Sequence, residues 1–265
     1  MGTGFFGGSG GQVLATGQAT QYSAELDDGY YHRGLDKSLS LRNTGQHAGT
    51  TNVDLPHYQA VTIAFVAATK KITDTALGLA MFKTGDTVVV TGSALNNGAY
   101  TVATGGVASE IVVAEALLDE AAGLGALLSK RAAWTNNCAV DANTGLMWTC
   151  ATTKSYKLGV LSDGKLPWTG QLYDIFALAV AANAAALAGY SDWRVPNLFE
   201  LLSLLILEAP AAAVPVALGW PALGSMHTST TVPGTVANSF QPAMQTGSVS
   251  SNVKTTECLV TLVRG

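Results

Sequence analysis

The string Gly189-Tyr190-Ser191-Asp192-Trp193-Arg194-Val195-Pro196-Asn197-Leu198-Phe199-Glu200 sets more conditions on the fold than any other stretch of this chain. Glycine readily takes the left-handed conformation that closes a helix, which suits Gly189 to a C-terminal cap. Pro196 disfavours helix at Val195, so the chain must break there. Asn197 is a preferred N-cap, and Glu200 stands where its carboxylate can bond back to the cap amide. Trp193 lies between the stop and the start as a large core anchor, while Asp192 and Arg194 can pair or bond loop backbone. The spacing predicts a helix over about 170–188, with Leu172, Phe176, Val180 and Leu187 on its apolar face. It predicts a second helix from Asn197, with Leu198, Leu201, Leu202, Leu205 and Ile206 turned to the core.

Upstream the period changes. Residues 61–66, 87–91, 99–102 and 111–113 are short β-branched runs, and Asn96-Asn97-Gly98 separates the second from the third. An Asn-Gly pair between such runs signals a hairpin. Residues 55–130 therefore read as a small all-β module, with a short acidic turn or helix over 117–125. Residues 259–263 are apolar enough for a central strand.

The remaining divisions are a Gly-rich docking tail over 1–16, a polar lead-in over 17–54, and a C-terminal domain over 131–265 that holds all five Trp. The tail presents Phe5 and Phe6, candidates for docking to a partner, with simple disorder the bland alternative. Its Gly2–Gly7 match to G-x-G-x-x-G follows no strand and precedes no helix pattern, so it is empty as a nucleotide site. The tail lacks the basic and apolar regions of a Sec signal. The apolar run 175–189 falls short of the ~20 residues of a membrane span. These points predict a soluble protein made without Sec export and without membrane insertion. Cys138, Cys150 and Cys258 have no CxxC spacing. They read as buried thiols or, for Cys138 and Cys150, as a bridge across a hairpin.

Charge is scarce: 12% of residues, against roughly 25% for an average soluble domain. With a net charge of −4 and only 14 Lys plus Arg, nucleic-acid binding is not expected. So little charged surface suggests faces buried against copies of the same chain, with the proline-broken segment 209–223 as one of them.

The C-terminal block carries a family resemblance. Asp141-Ala142-Asn143-Thr144-Gly145-Leu146-Met147-Trp148 resembles the D-x-x-TGLMW element of the Lcl C-terminal domain family, named after a collagen-like bacterial adhesin. The string from Leu187 through Trp193, Arg194, Pro196, Asn197 and Glu200 to Leu201 resembles its LAGYSDWRLPNxxEL element. His227-Thr228-Ser229-Thr230-Thr231 is a weaker counterpart of YWSST, and residues 260–265 sit where the family ends VRCVRG. The stretch Thr16–Tyr22, with Asp27-Asp28-Gly29 and Gly34, is similar to the family lead-in. The departures are the β-rich insert, Met226-His227 in place of an aromatic pair, and the missing terminal Cys. The resemblance implies an α+β chain: a C-type-lectin-like domain of two helices and small antiparallel sheets, with N- and C-terminal strands paired, preceded by the all-β module. It makes Trp148, Trp193, Arg194, Pro196, Asn197 and Glu200 a structural signature.

No catalytic set stands out. His32, His47, His57 and His227 are scattered, and Asp27-Asp28 and Asp119-Glu120 read as solvated turns. Asp141-Ala142-Asn143-Thr144-Gly145 lacks the spacing and distal Glu of a calcium loop. The expectation is a non-enzymatic protein with no metal and no cofactor. In the lectin-like fold, recognition sits on the long loops, here 209–257, which makes Trp220, His227, Asn238, Phe240, Gln241 and Gln245 the ligand-binding candidates. Trp220 and Phe240 are equally suited to the core or a subunit interface. The function expected is a bacteriophage virion protein, a tail fibre or tail tip, that binds a host surface receptor such as a glycan or other surface polymer. Its partners are then itself, as a homotrimer, and other virion proteins, after assembly in the host cytoplasm. The alternatives are a capsid-decoration protein without host recognition and a bacterial adhesin on the extracellular surface.

Overall fold

The computed structural model describes residues 42–43, 49–136, 138–141, 144–150, 165–169, 172–205, 218 and 224–265. In chain order the elements are β1 (Arg42–Asn43), β2 (Thr50–Ala60), β3 (Ile63–Val66), β4 (Lys71–Asp74), β5 (Thr87–Thr91), β6 (Gly98–Thr104), β7 (Glu110–Val113), β8 (Ala126–Thr135), β9 (Cys138–Val140), β10 (Met147–Thr149), β11 (Lys165–Leu166), α1 (Ile175–Ala184), α2 (Leu198–Ser203), β12 (Thr231–Val232), β13 (Thr235–Pro242), β14 (Val249–Val253), β15 (Cys258–Leu259) and β16 (Val263–Arg264). The strands form four sheets, and every strand pairing is antiparallel. This corrects the α+β expectation. Among the described residues the protein is mostly β, and the α-helices Ile175–Ala184 and Leu198–Ser203, of 10 and 6 residues, are minor elements.

Residues 50–135 build a seven-stranded sheet in the order β2-β8-β5-β6-β7-β4-β3. Alternate residues point to one core that contains Phe65, Ile72, Phe82, Val90, Ile111 and Leu128. The hairpin β5–β6 forms, yet Asn97-Gly98 is not a two-residue turn: Val90 pairs with Gly98, and the residues between make a longer loop. That loop is held from a distance. Glu120 accepts hydrogen bonds from the Ser93 hydroxyl, the Ala94 and Leu95 amides and the Asn96 side chain at 2.6–3.0 Å. Burial pushes its carboxyl up, but these donors outweigh it and bring the carboxyl down to about 2. Asp119 accepts from the Ala67 amide at 2.7 Å, so the pair read as a solvated turn is a set of backbone staples. Residues 117–125 form no helix.

Strands β2 and β8 pair from Thr50–Thr135 to Ala60–Ala126 and form a ribbon shared by two cores. The register shifts between Pro56 and Tyr58, which leaves His57 as the extra residue of a β-bulge. Because side chains alternate with period two, one extra residue exchanges the faces. Before the bulge, Val53 and Leu55 enter the C-terminal core with Trp134; after it, Tyr58 and Ala60 pack on the β-sheet core. His57 sits at the crossing. Its ring stacks on Tyr173 with centroids 4.6 Å apart, and its Nδ1 lies 2.8 Å from the Leu55 carbonyl. Its Nε2 has no hydrogen-bond partner among the described residues. Burial pushes the imidazole below its usual value; the Leu55 carbonyl and Asp86 oppose this, and Lys130 adds to it. A His held neutral in the fold takes up a proton more readily when unfolded, so stability falls as pH drops below about 6.5. His57→Phe keeps the stack and removes the titration. Denaturant unfolding at pH 7 and pH 5 is expected to show a smaller loss for the variant than for the wild type.

In the C-terminal half, β1, β9, β10 and β16 form one sheet in that order. The terminal strand β16 pairs with β10 of the β9–β10 hairpin at the start of the C-terminal half, and β1 lies at the opposite edge. Residues 258–263 are fully buried but do not make one central strand. They cross between sheets: β15 pairs with β11, and β16 pairs with β10. The crossing is held at Thr149, whose hydroxyl lies 3.0 Å from that of Thr261 and accepts from the Leu262 amide. Cys138, Cys150 and Cys258 are buried thiols, and no hairpin disulfide joins Cys138 to Cys150. Burial raises the Cys258 thiol to about 11.

Candidate functional site

Helix α1 starts at Asp174, whose carboxylate accepts from the amides of Phe176 and Ala177 at 2.9 Å. It ends ten residues on, well inside the predicted 170–188. The chain then turns through Ala186 and Ala188, both left-handed with φ of 49° and 53°. Such a conformation costs an alanine ~1 kcal/mol. It drives Leu187 into the core and aims the Leu187 carbonyl at the Trp193 indole, 2.9 Å away. Gly189, with φ of 83°, ends this 3₁₀ turn rather than the helix.

The apolar face of α1 is also not the one read from the sequence. Ile175, Leu178, Ala179 and Ala182 pack inward. Leu172, Phe176 and Val180 face solvent at 42%, 38% and 68% exposure. A ten-residue element apolar on all sides carries no phase in its sequence. The structure turns the small Ala side inward, where the ribbon can approach closely.

Beside this open stripe stands Trp168. Its indole donates to the Thr228 carbonyl at 2.8 Å, and its amide donates to the Lys254 carbonyl at 2.8 Å. The Phe176 ring meets it edge-on with centroids 4.8 Å apart. Lys254 Nζ lies 3.7 Å from the ring centroid and also donates to the Thr231 hydroxyl at 2.9 Å. Trp168 thus joins β11, α1 and the end of β14 into one amphipathic shelf, rigid in its aromatic parts and fringed by hydroxyls. Trp168, Phe176 and Lys254 were not among the sequence-derived candidates. The signal for Trp168 was a Pro-Trp pair just before a helix start.

The candidates over 209–257 divide. His227 and Gln241 are fully buried. His227 Nε2 lies 3.0 Å from the Thr256 carbonyl, and burial pushes the imidazole down from its usual value. Gln241 Oε1 accepts from Asn252 at 2.8 Å and from the Cys258 thiol at 3.1 Å. Both serve the interior. Asn238 and Phe240 are half-buried on the other face of β13, where the Asn238 amide donates to the Ser251 hydroxyl at 3.1 Å; Gln245 is half-buried in the turn before β14. Trp220, Phe5, Phe6 and nearly all of segment 209–223 lie outside the described residues.

Of the residues that carry the family resemblance, Trp148 and Trp193 are buried, and Asn183 clamps the Trp193 backbone at both ends with bonds of 2.7 and 2.8 Å. Asn197 and Glu200 form a capping box, and Glu200 also takes both guanidinium nitrogens of Arg194 at 2.6 and 2.7 Å. Burial pushes the Glu200 carboxyl up, but Arg194 and the Asn197 amide outweigh it and hold it low. The Pro196 carbonyl accepts from Ser229. Asp192 does not pair with Arg194: it holds Arg264, whose guanidinium lies 3.8 Å from the Tyr190 ring centroid. Among the described residues no group of three His, Cys, Asp or Glu side chains is placed to hold a metal, and no helix is long and apolar enough to cross a membrane.

Residues 137–264 match the family model of the Lcl C-terminal domain. The match supports the family resemblance of this half of the chain and, at the level of class, an adhesin-like binding protein. No curated protein matches the chain.

Proposed function

We propose that this is a non-enzymatic binding protein that presents its C-terminal half to a surface receptor, a glycan or other surface polymer. The observation that carries the reading is the open stripe of Leu172, Phe176 and Val180 beside the Trp168–Lys254 stack. Exposed apolar side chains contiguous with an oriented aromatic ring and a polar fringe mark recognition surfaces. Stacked sugars and apolar polymer segments fit such a shelf. The charged side chains of the signature loop, Arg194 with Glu200 and Asp192 with Arg264, are spent on the fold.

The finer reading sets the protein in a bacteriophage tail fibre or tail tip. It is supported by the scarcity of charge, which suggests faces buried against other copies of the chain. The two-core ribbon gives such a protein a stiff spacer between its insert and its recognition half. Purified protein, fluorescently labelled, is expected to adsorb saturably to intact bacterial cells and to be displaced by their extracted surface polysaccharide. Absence of adsorption to any strain of a broad panel, with the protein folded, removes the receptor-binding reading.

A further inference from the structure

We infer that β14 is a self-complementary docking edge, and that its partner is β14 of a second copy of this chain. Strand β14 closes the three-stranded sheet β12-β13-β14 on one side. The phase of its hydrogen bonds is fixed at both ends, because Ala243 N donates to the Ser248 carbonyl and Lys254 N donates to the Ala237 carbonyl. In an antiparallel ladder such bonded positions recur every second residue. Ser250 and Asn252, opposite Gln241 and Ser239, therefore turn their backbone groups to β13. Val249, Ser251 and Val253 turn theirs outward, and all three residues are exposed. Among the described residues, the Val253 carbonyl is the one group of that outer row that is engaged, by the Thr256 amide.

Natural sheets blunt such edges with lysine, proline, bulges or a covering loop. Between Gln245 and Val253 there is no charged residue and no proline, and the register of β13 with β14 is unbroken. The sequence of the edge also reads nearly the same in both directions: Val249-Ser250-Ser251-Asn252-Val253. A two-fold axis at Ser251 places Ser251 against Ser251 of the partner subunit and Val249 against Val253 of the partner subunit. Ser250 then faces Asn252 of the partner subunit. All three outward-facing residues fall in hydrogen-bonded positions: the Ser251 pair exchanges both backbone bonds, and in each Val249–Val253 pair the Val253 amide donates to the Val249 carbonyl while the Val253 carbonyl stays with Thr256. A closed two-fold contact requires this reciprocity. The β13 side chains Asn238 and Phe240 extend the shared sheet on the face of Ser251 and Val253. This assembly is independent of the receptor reading, since it involves neither Trp168 nor the α1 stripe.

The test is the mass of the full chain in solution by light scattering and sedimentation. The wild type is expected at twice the 27.2 kDa chain mass at high concentration, dissociating on dilution. Ser251→Pro removes only an outward N–H, which edge strands tolerate, and Ser251→Lys sets like charges together at the axis. Both are expected to give monomers with wild-type circular dichroism. Ser251→Cys is expected to form a covalent dimer under mild oxidation, because facing Cα atoms ~5.5 Å apart suit a disulfide. A wild type that stays monomeric, a trimer, or a dimer that survives both Ser251→Pro and Ser251→Lys overturns the proposal.

Discussion

Trp193→Ala lowers stability by about 3–5 kcal/mol, the range for truncating a large buried aromatic. The ring is buried in the core that joins α1 to the β2–β8 ribbon, with Leu187, Val195, Val260 and Leu262. Truncation opens a cavity there and leaves the Leu187 carbonyl without the indole donor. The left-handed alanines on either side of Leu187 then lose the contact that offsets their strain. The loss is read as a lower denaturant midpoint for the near-ultraviolet signal. Trp193→Phe separates the two parts: it keeps most of the volume and is expected to cost about 1–3 kcal/mol, chiefly for the unpaired carbonyl. An unchanged midpoint in Trp193→Ala contradicts the placement of this residue.

Asp74→Ala is expected to have a comparable effect, in the other core. Asp74 is almost fully buried and accepts from the Tyr58 and Thr62 hydroxyls and from the Ala76 and Gly78 amides at 2.5–3.1 Å. The site is tight as well: a Cβ on Gly78 would fall 2.0 Å from the Tyr58 ring. Removing the carboxylate leaves four donors without an acceptor, for about 3–5 kcal/mol. Burial pushes the Asp74 carboxyl up, but the bonds from Thr62, Gly78, Tyr58 and Ala76 outweigh it and hold it below the usual range. Its contribution is thus present above the unfolded value of about 4 and is lost as pH falls through the folded value. The stability difference between the wild type and Asp74→Ala should be full at pH 7 and smaller at pH 3. If the two proteins differ as much at pH 3 as at pH 7, the carboxylate is not what holds the turn.

What was legible in the sequence was local. The capping box at Asn197 and Glu200 spans four residues, and its chemistry is written in those residues. The β5–β6 hairpin followed from its β-branched runs, although not from the Asn-Gly pair that flagged it. What depends on distant partners was not legible. Glu120 reaches the loop after β5 from more than twenty residues away, and the His57 bulge has meaning only once two cores exist. The predicted α+β balance failed because an apolar, alanine-rich run was read as a long helix, while two left-handed alanines cut it short. On the candidate site, the Ser- and Thr-rich segment 209–257 reads as recognition loops. Strand alternation instead sends Ser239 and Gln241 inward and leaves Asn238 and Phe240 toward the surface. Trp168 and Phe176 gain their role only because the wrong-looking face of α1 is the open one.

Whether the open face of α1 binds is tested directly at the cell surface. Adsorption to intact bacterial cells should be compared between the wild type and the double variant Phe176→Ser, Val180→Ser, with thermal unfolding run on both. Both side chains point to solvent, so the fold is expected to tolerate the change, while apparent affinity falls at least about tenfold, equivalent to about 1.4 kcal/mol. Undiminished adsorption by a folded double variant would contradict the claim that the α1 stripe and the Trp168 shelf form the recognition surface.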